Sequence, residues 1–254
     1  MQDYSADYAR YYHLLTGHKK YADESKLLLR FLENSGFGEF SSVLSVGCGI
    51  GSHERLLAKY VGSVLGIDQS PYMIEYGSQM DNPSNLVLKN TDLTSINNLH
   101  FDIVISLFNV VNCVSPGSSL DGFMKSIADR INPGGLVLLE LWNRKATISE
   151  PPIKVNRKYS SKGVSLSRTA IPHLDPVSAT LSLEYTIDGF DNDLPVSIRS
   201  THDLYLHSIE VVEKQFLDLG FTSIKWYSAL SDGMKPLVDD RSERMLLVTA
   251  LKAL

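Results

Sequence analysis

The chain has 254 residues, 24 basic and 29 acidic, giving a formal charge of −5, and 43% of its residues are hydrophobic. This balance excludes a mainly disordered chain, and the length suffices for one large α/β domain or two small ones. There is no Lys/Arg block, so the basic footprint that nucleic-acid binding needs is missing.

Two cysteines, Cys48 and Cys113, are too few for a disulfide framework. Their apolar neighbours predict buried thiols in a reducing cytosol. No Cys or His spacing suits a metal. The first residues lack the apolar core of a secretory signal. The longest apolar stretch, Phe101–Val114, is interrupted by Asp102, Ser106, Asn109 and Asn112. It falls short of the roughly 20 apolar residues of a membrane helix. The expectation is a cytoplasmic protein without a membrane span.

In chain order, Ser5–Asn34 reads as helical, with Tyr4, Tyr8, Tyr11 and Tyr12 on one face and a second helix over Asp23–Leu32. Strands and helices then alternate. Val43–Val46 is a strand, Gly47–Gly51 a glycine-rich turn and Ser52–Tyr60 a helix. Val64–Ile67 is a strand ending at Asp68, and Ser70 caps a helix that begins at Pro71 and runs to about Met80. Leu86–Lys89 and Asp102–Leu107 are strands, Leu120–Arg130 a helix, Pro133–Gly135 a turn and Leu136–Leu141 a strand. Apolar strands bounded by helices predict a doubly wound α/β fold with a mostly parallel sheet. After Trp142 the pattern alternates polar and apolar over Val164–Thr169, Thr180–Ile187 and Ile198–Leu206, which predicts an antiparallel β extension. A helix over Ile209–Leu219 with Gly220 as its stop, then strands Ser223–Tyr227 and Arg244–Leu251, close the chain.

The chemistry concentrates in Val43–Gly51. A strand running into Gly47-Cys48-Gly49-Ile50-Gly51 lets the backbone turn tightly and approach a ligand. Asp68, at the end of the next strand, is placed for ribose hydroxyls. Together these predict an adenosine-type ligand at the carboxyl edge of the sheet. The third glycine comes one residue early for a dinucleotide, and Ser52 stands where that glycine would be. The Walker lysine is absent.

This pattern resembles the class I S-adenosylmethionine (SAM) methyltransferases. The resemblance implies a seven-stranded sheet and SAM as cofactor, with S-adenosylhomocysteine as product. It places Gly47, Cys48, Gly49, Asp68, Gln69 and Met73 around the cofactor. It adds Asp92 and Leu93 beside the adenine, and Ser106 and Leu107 beside the methyl donor. Asn132–Gly135 resembles the family's turn before strand five. Ser45 departs from the pattern, because the family usually has there an acid that helps hold the methionine end.

More narrowly, Tyr8, Tyr12, Lys20-Tyr21-Ala22, Glu140-Leu141-Trp142 and His202 resemble the layout of sugar N-methyltransferases of the desosamine type. By that resemblance Tyr12 and His202 would orient the amine and relay its proton, and Tyr21 would lie near the cofactor carboxylate. Asn109, Asn112, Trp142 and Arg157 are candidate substrate contacts. Arg157 belongs to a basic group with Lys154, Lys158 and Lys162, read as a loop that could grip a diphosphate. Asp102, at the far end of its strand, reads as structural, and His53 as opening a helix. His13 and His18 have no evident partner.

The expected organisation is a helical lid over 1–40, a SAM-binding core over 41–145, a β cap over 146–206 and a closing unit over 207–254. The partner is a small molecule, with no nucleic acid or membrane, and a homodimer is left open. The expected reaction is methylation of an amino-sugar amine. The alternatives are O-methylation, a non-catalytic SAM-binding module and a nicotinamide oxidoreductase.

Overall fold

The computed structural model describes residues 5–241 and 243–254. Two helices lead the chain, α1 (Ala6–Thr16) and α2 (Tyr21–Asn34). Ser5 caps the first, its hydroxyl accepting from the Tyr8 amide. Tyr8 and Tyr11 face inward as expected, and Tyr4 lies outside the described residues.

The main sheet is built from β1 (Ser42–Val46), β2 (Ser63–Asp68), β3 (Leu86–Asn90), β4 (Phe101–Ser106), β5 (Ile131–Trp142), β10 (Phe221–Ser228) and β11 (Met245–Lys252). Their order is β10-β11-β5-β4-β1-β2-β3. Only β11 runs against its neighbours. The order reverses beside β1, where ligands of open α/β sheets bind. β1 and β4 carry apolar side chains on both faces, among them Leu44, Ile103 and Val104, because helices cover the sheet on both sides.

Between the strands lie α3 (Glu54–Leu57), α4 (Pro71–Ser78) and α5 (Ser118–Ala128), and α7 (Ile209–Asp218) precedes β10. Ser70 caps α4 as the sequence suggests, accepting from the Met73 amide. The helix expected over Ser52–Tyr60 is shorter. It starts and ends on tight i→i−3 bonds such as Leu56 to His53 and Tyr60 to Leu57. The turn expected at Pro133–Gly135 is a bulge inside β5. Gly134 is left-handed there, and the pairing with β4 jumps from Phe101↔Ile131 to Ile103↔Leu136.

The antiparallel extension is a second sheet of four strands, β6 (Val155–Ser161), β7 (Val164–Asp175), β8 (Thr180–Asp191) and β9 (Leu194–Tyr205), paired in that order. β6 corrects the expected basic loop. Its side chains are almost all exposed, so it carries no buried face to read in the sequence. A short helix, α6 (Arg144–Ser149), links the two sheets. The extension shares a core with α1 and α4, since Tyr8, Leu15, Met73, Leu166, Ile187 and Ile198 pack together. Among the described residues no helix is long and apolar enough to cross a membrane.

Candidate active site

A cavity of about 400 Å³ opens at the carboxyl edge of β1, β2 and β4. Such a volume suits a nucleoside-sized ligand. Gly47 and Gly49 form its floor, both left-handed (φ +73° and +57°). A Cβ on Gly47 would strike Val110 at 2.3 Å, so that position needs glycine. A Cβ on Gly49 would meet only the Tyr12 ring at 4.0 Å, so the backbone there is open to a ligand. Asp68 holds the turn, its carboxylate accepting from the Gly49 amide (2.9 Å) and the Ser70 amide (2.8 Å). Burial pushes its carboxyl up, and those backbone donors oppose the shift.

The lining includes Tyr12, Tyr21, Gly47, Cys48, Gly49, Asp68, Gln69, Met73, Asp92, Leu93 and Leu107, all expected from the sequence. Asp92 also caps a short turn, accepting from the Ser95 amide and the Thr94 hydroxyl. The Thr94 bond, ahead of the smaller opposing effect of burial, holds its carboxyl below the usual range.

Ser106, Asn109 and Asn112, also expected, do not line the cavity. Ser106 is fully buried and donates to the Val46 carbonyl. Asn112 is fully buried and spends its amide on the Tyr205 carbonyl and the Trp142 N–H, so it ties β9 to β5. Asn109 stands in the left-handed region next to Phe108, which is left-handed too (φ +63° and +57°). The buried Glu140 carboxylate accepts from the Phe108 amide at 2.9 Å and fixes this corner. The thiols also differ from expectation. Cys113 is exposed, because its short helical turn ends at the cavity mouth, and Cys48 is half-buried in the cavity wall. Asp102 is structural as read, bonded to Ser42 and Asn132.

Sequence reasoning missed the roof over the far end of the cavity. His53, ahead of α3, meets the buried Glu24 carboxylate of α2 at 2.9 Å and stacks near Tyr21 (5.0 Å) and Phe108 (5.2 Å). Lys19 sits 3.0 Å from the Phe108 ring centroid, and burial lowers its pKa. His18 does have a neighbour, since Arg157 donates to its Nε2 at 2.5 Å.

A second cavity, about 250 Å³, lies between the two sheets. Trp142, Arg157, Arg168, Tyr185 and Arg244 line it, so the two expected contacts Trp142 and Arg157 meet here. His202 lies between the cavities. Its ring is 5.9 Å from Tyr8 and 5.1 Å from Tyr185, and Tyr8 is 6.2 Å from Tyr12. A row of rings thus leads from Tyr12 in the first cavity to Tyr185 in the second. Burial, with the Arg168 charge adding to it, lowers the His202 pKa to about 4. Burial pushes the Tyr12 phenol well above its ordinary range and the Tyr8 phenol up to about 12.

A methyltransferase domain signature matches residues 43–135, from β1 to the bulge of β5. The chain is 24% identical over 228 residues to a dTDP-3-amino-3,6-dideoxy-alpha-D-glucopyranose N,N-dimethyltransferase of Streptomyces fradiae, covering 87% of this chain and 84% of the relative. The sugar N-methyltransferase of Streptoalloteichus sp ATCC 53650 superposes with a TM-score of 0.79 at 16% identity, over 97% and 93% of the two chains. A SAM-bound amino pentose methyltransferase of Micromonospora echinaspora superposes with a TM-score of 0.75 at 17% identity, over 94% of each. Sheet order, glycine turn and domain signature together define a class I SAM-dependent methyltransferase. Within that class the chain resembles the sugar N-methyltransferases.

The cavity fits the cofactor. Gly49 leaves room for it, Asp68 offers a carboxylate beside the turn, and Leu93, Val110 and Phe123 give apolar walls on the Asp92 side. In the arrangement the resemblance implies, Asp68, Gln69, Asp92 and Leu93 would hold the adenosine and Tyr21 would lie near the cofactor carboxylate, and all five line the cavity.

Proposed function

We propose that this methyltransferase acts on the amine of an amino sugar carried on a nucleoside diphosphate. The observation that carries the reading is the ring row Tyr12–Tyr8–His202–Tyr185, which joins the cofactor cavity to the arginine-lined one. Among the described residues, no carboxylate lies within ion-pair distance of Arg157 or Arg168. Their guanidinium groups suit a diphosphate, which Arg binds bidentately. Trp142 and Tyr185 offer flat faces for a base.

SAM supplies a methyl group already activated on a sulfonium. The protein's part is alignment and exclusion of water. Tyr12 stays a neutral phenol and can donate or accept one hydrogen bond. His202 is neutral at physiological pH and, with a pKa near 4, is a weak base. Such groups can orient an amine that arrives deprotonated and pass its proton on. They are poorly suited to ionising a hydroxyl, which favours N- over O-methylation.

The test is mass spectrometry after incubation with SAM and a panel of a dTDP-linked amino sugar, the free amino sugar and a simple phenol. The reading expects one or two added methyl groups on the nucleotide-linked amine, and Arg168→Ala should raise its KM about tenfold. Methylation of the phenol alone would overturn it.

A further inference from the structure

Ser45 leaves β1 without the acid that the resemblance to class I methyltransferases implies there, yet a carboxylate stands beside it. Glu54, in the first turn of α3, accepts from the Ser45 hydroxyl at 2.6 Å. Both side chains are buried, at 3% and 2% exposure, and both line the cofactor cavity. Among the described residues, no Lys, Arg or His nitrogen lies within 4.0 Å of the Glu54 carboxylate. Its sequence neighbour Arg55 is committed elsewhere, to the carbonyls of Ile50 and Gly77. After burial, the Glu54 charge is the next cause that pushes the Cys48 thiol up, so the field of the carboxylate reaches the cavity floor.

A buried carboxylate without a cation is costly, and a partner has to come from somewhere. Glu54 lines the cavity, so a ligand bound there can supply one. Glu54 shares the cavity lining with Tyr12 and Tyr21, and its charge is among the causes that raise both phenols. SAM carries a methionyl group bearing an α-ammonium and a sulfonium, cations that such a carboxylate can pair with.

We infer that Glu54, oriented by Ser45, is the acid that pairs with the α-ammonium of the cofactor, so that the charge missing from β1 is supplied from α3. The inference rests on SAM being the cofactor. Ser45 is a positioning residue in it, since its hydroxyl acts through the carboxylate.

The test is calorimetric titration of the wild type, Glu54→Gln and the double variant Ser45→Asp/Glu54→Gln. The probes are SAM, S-adenosylhomocysteine, which keeps the ammonium and lacks the sulfonium, and 5′-methylthioadenosine, which lacks the ammonium. Glu54→Gln should weaken S-adenosylhomocysteine about tenfold or more and leave 5′-methylthioadenosine within about twofold. The double variant should regain part of the loss. The ligand-free Glu54→Gln protein should melt no lower than wild type, because no ion pair within the chain is lost and the amide oxygen can still accept from Ser45. Equal loss for both analogues with a lowered melting temperature would make Glu54 a structural residue. Loss for SAM with S-adenosylhomocysteine unchanged would assign Glu54 to the sulfonium. Either result overturns the inference. A wild type that binds none of the three would instead contradict the cofactor itself.

Discussion

Tyr12 and Asp68 face the same cavity and do different work, and single substitutions separate them. Asp68 anchors the glycine turn through two backbone amides, and we propose that its carboxylate also holds the ribose. Asp68→Ala should weaken SAM binding by about 2 kcal/mol, the range for hydrogen bonds to a charged group, as read by calorimetry. Unchanged affinity would remove Asp68 from the cofactor site. Tyr12→Phe should lower turnover with little change in SAM affinity, because the ring that packs near Tyr8 is kept and only the phenol oxygen is lost. An equal rate would make Tyr12 a packing residue. Asp68 was legible because strand, turn and acid follow one another in the chain. Glu54 was not, because what marks it is the absence of a nearby cation, a property of three-dimensional packing. Asn112 misled for the converse reason. It sits on the correct edge of the sheet, but its amide is used up by β5 and β9.

Elements set where those residues can go. α1 is held against the cap by Asp191, at the end of β8, which accepts from Arg10 (2.7 Å) and from the Tyr11 hydroxyl (3.0 Å). Arg10 is largely exposed, so the Tyr11 bond matters more. Asp191→Ala should cost about 2 kcal/mol by leaving that phenol without its acceptor, and should speed amide exchange in α1. Unchanged exchange would mean that the apolar contacts alone hold the helix. The cap also carries a pH response through His202 on β9. An unfolded histidine titrates near 6.5, and the folded one near 4. Between those values the unfolded chain binds more protons, so stability falls as pH drops from about 6.5 to about 4, by at most about 3 kcal/mol. Chemical denaturation at neutral pH and near pH 4.5 should show a larger loss for wild type than for His202→Asn, and equal losses would contradict this. The alternating strands β7 to β9 were legible from their period, although each runs further than expected. β6 and α6 were not, since an exposed edge strand buries no face and a helix of six residues is too short for a period.

The whole molecule joins a mostly parallel sheet, which builds the cofactor cavity, to a second sheet that carries the arginine-lined one. α1 and α4 bind the two through one shared core. The alternation of strands and helices foretold the first sheet, and the reversed β11 agrees with the strand pair read after the last helix. What no local pattern could foretell is the way the ring row joins the two cavities, because its members come from α1, β8 and β9. The central claim is that this site takes SAM. Calorimetric titration with SAM, and in parallel with NADH, tests it most directly. The account predicts saturable heat with SAM, none with NADH, and a stability gain of about 2.7 kcal/mol at SAM one hundred times its Kd. Heat with NADH and none with SAM would contradict it.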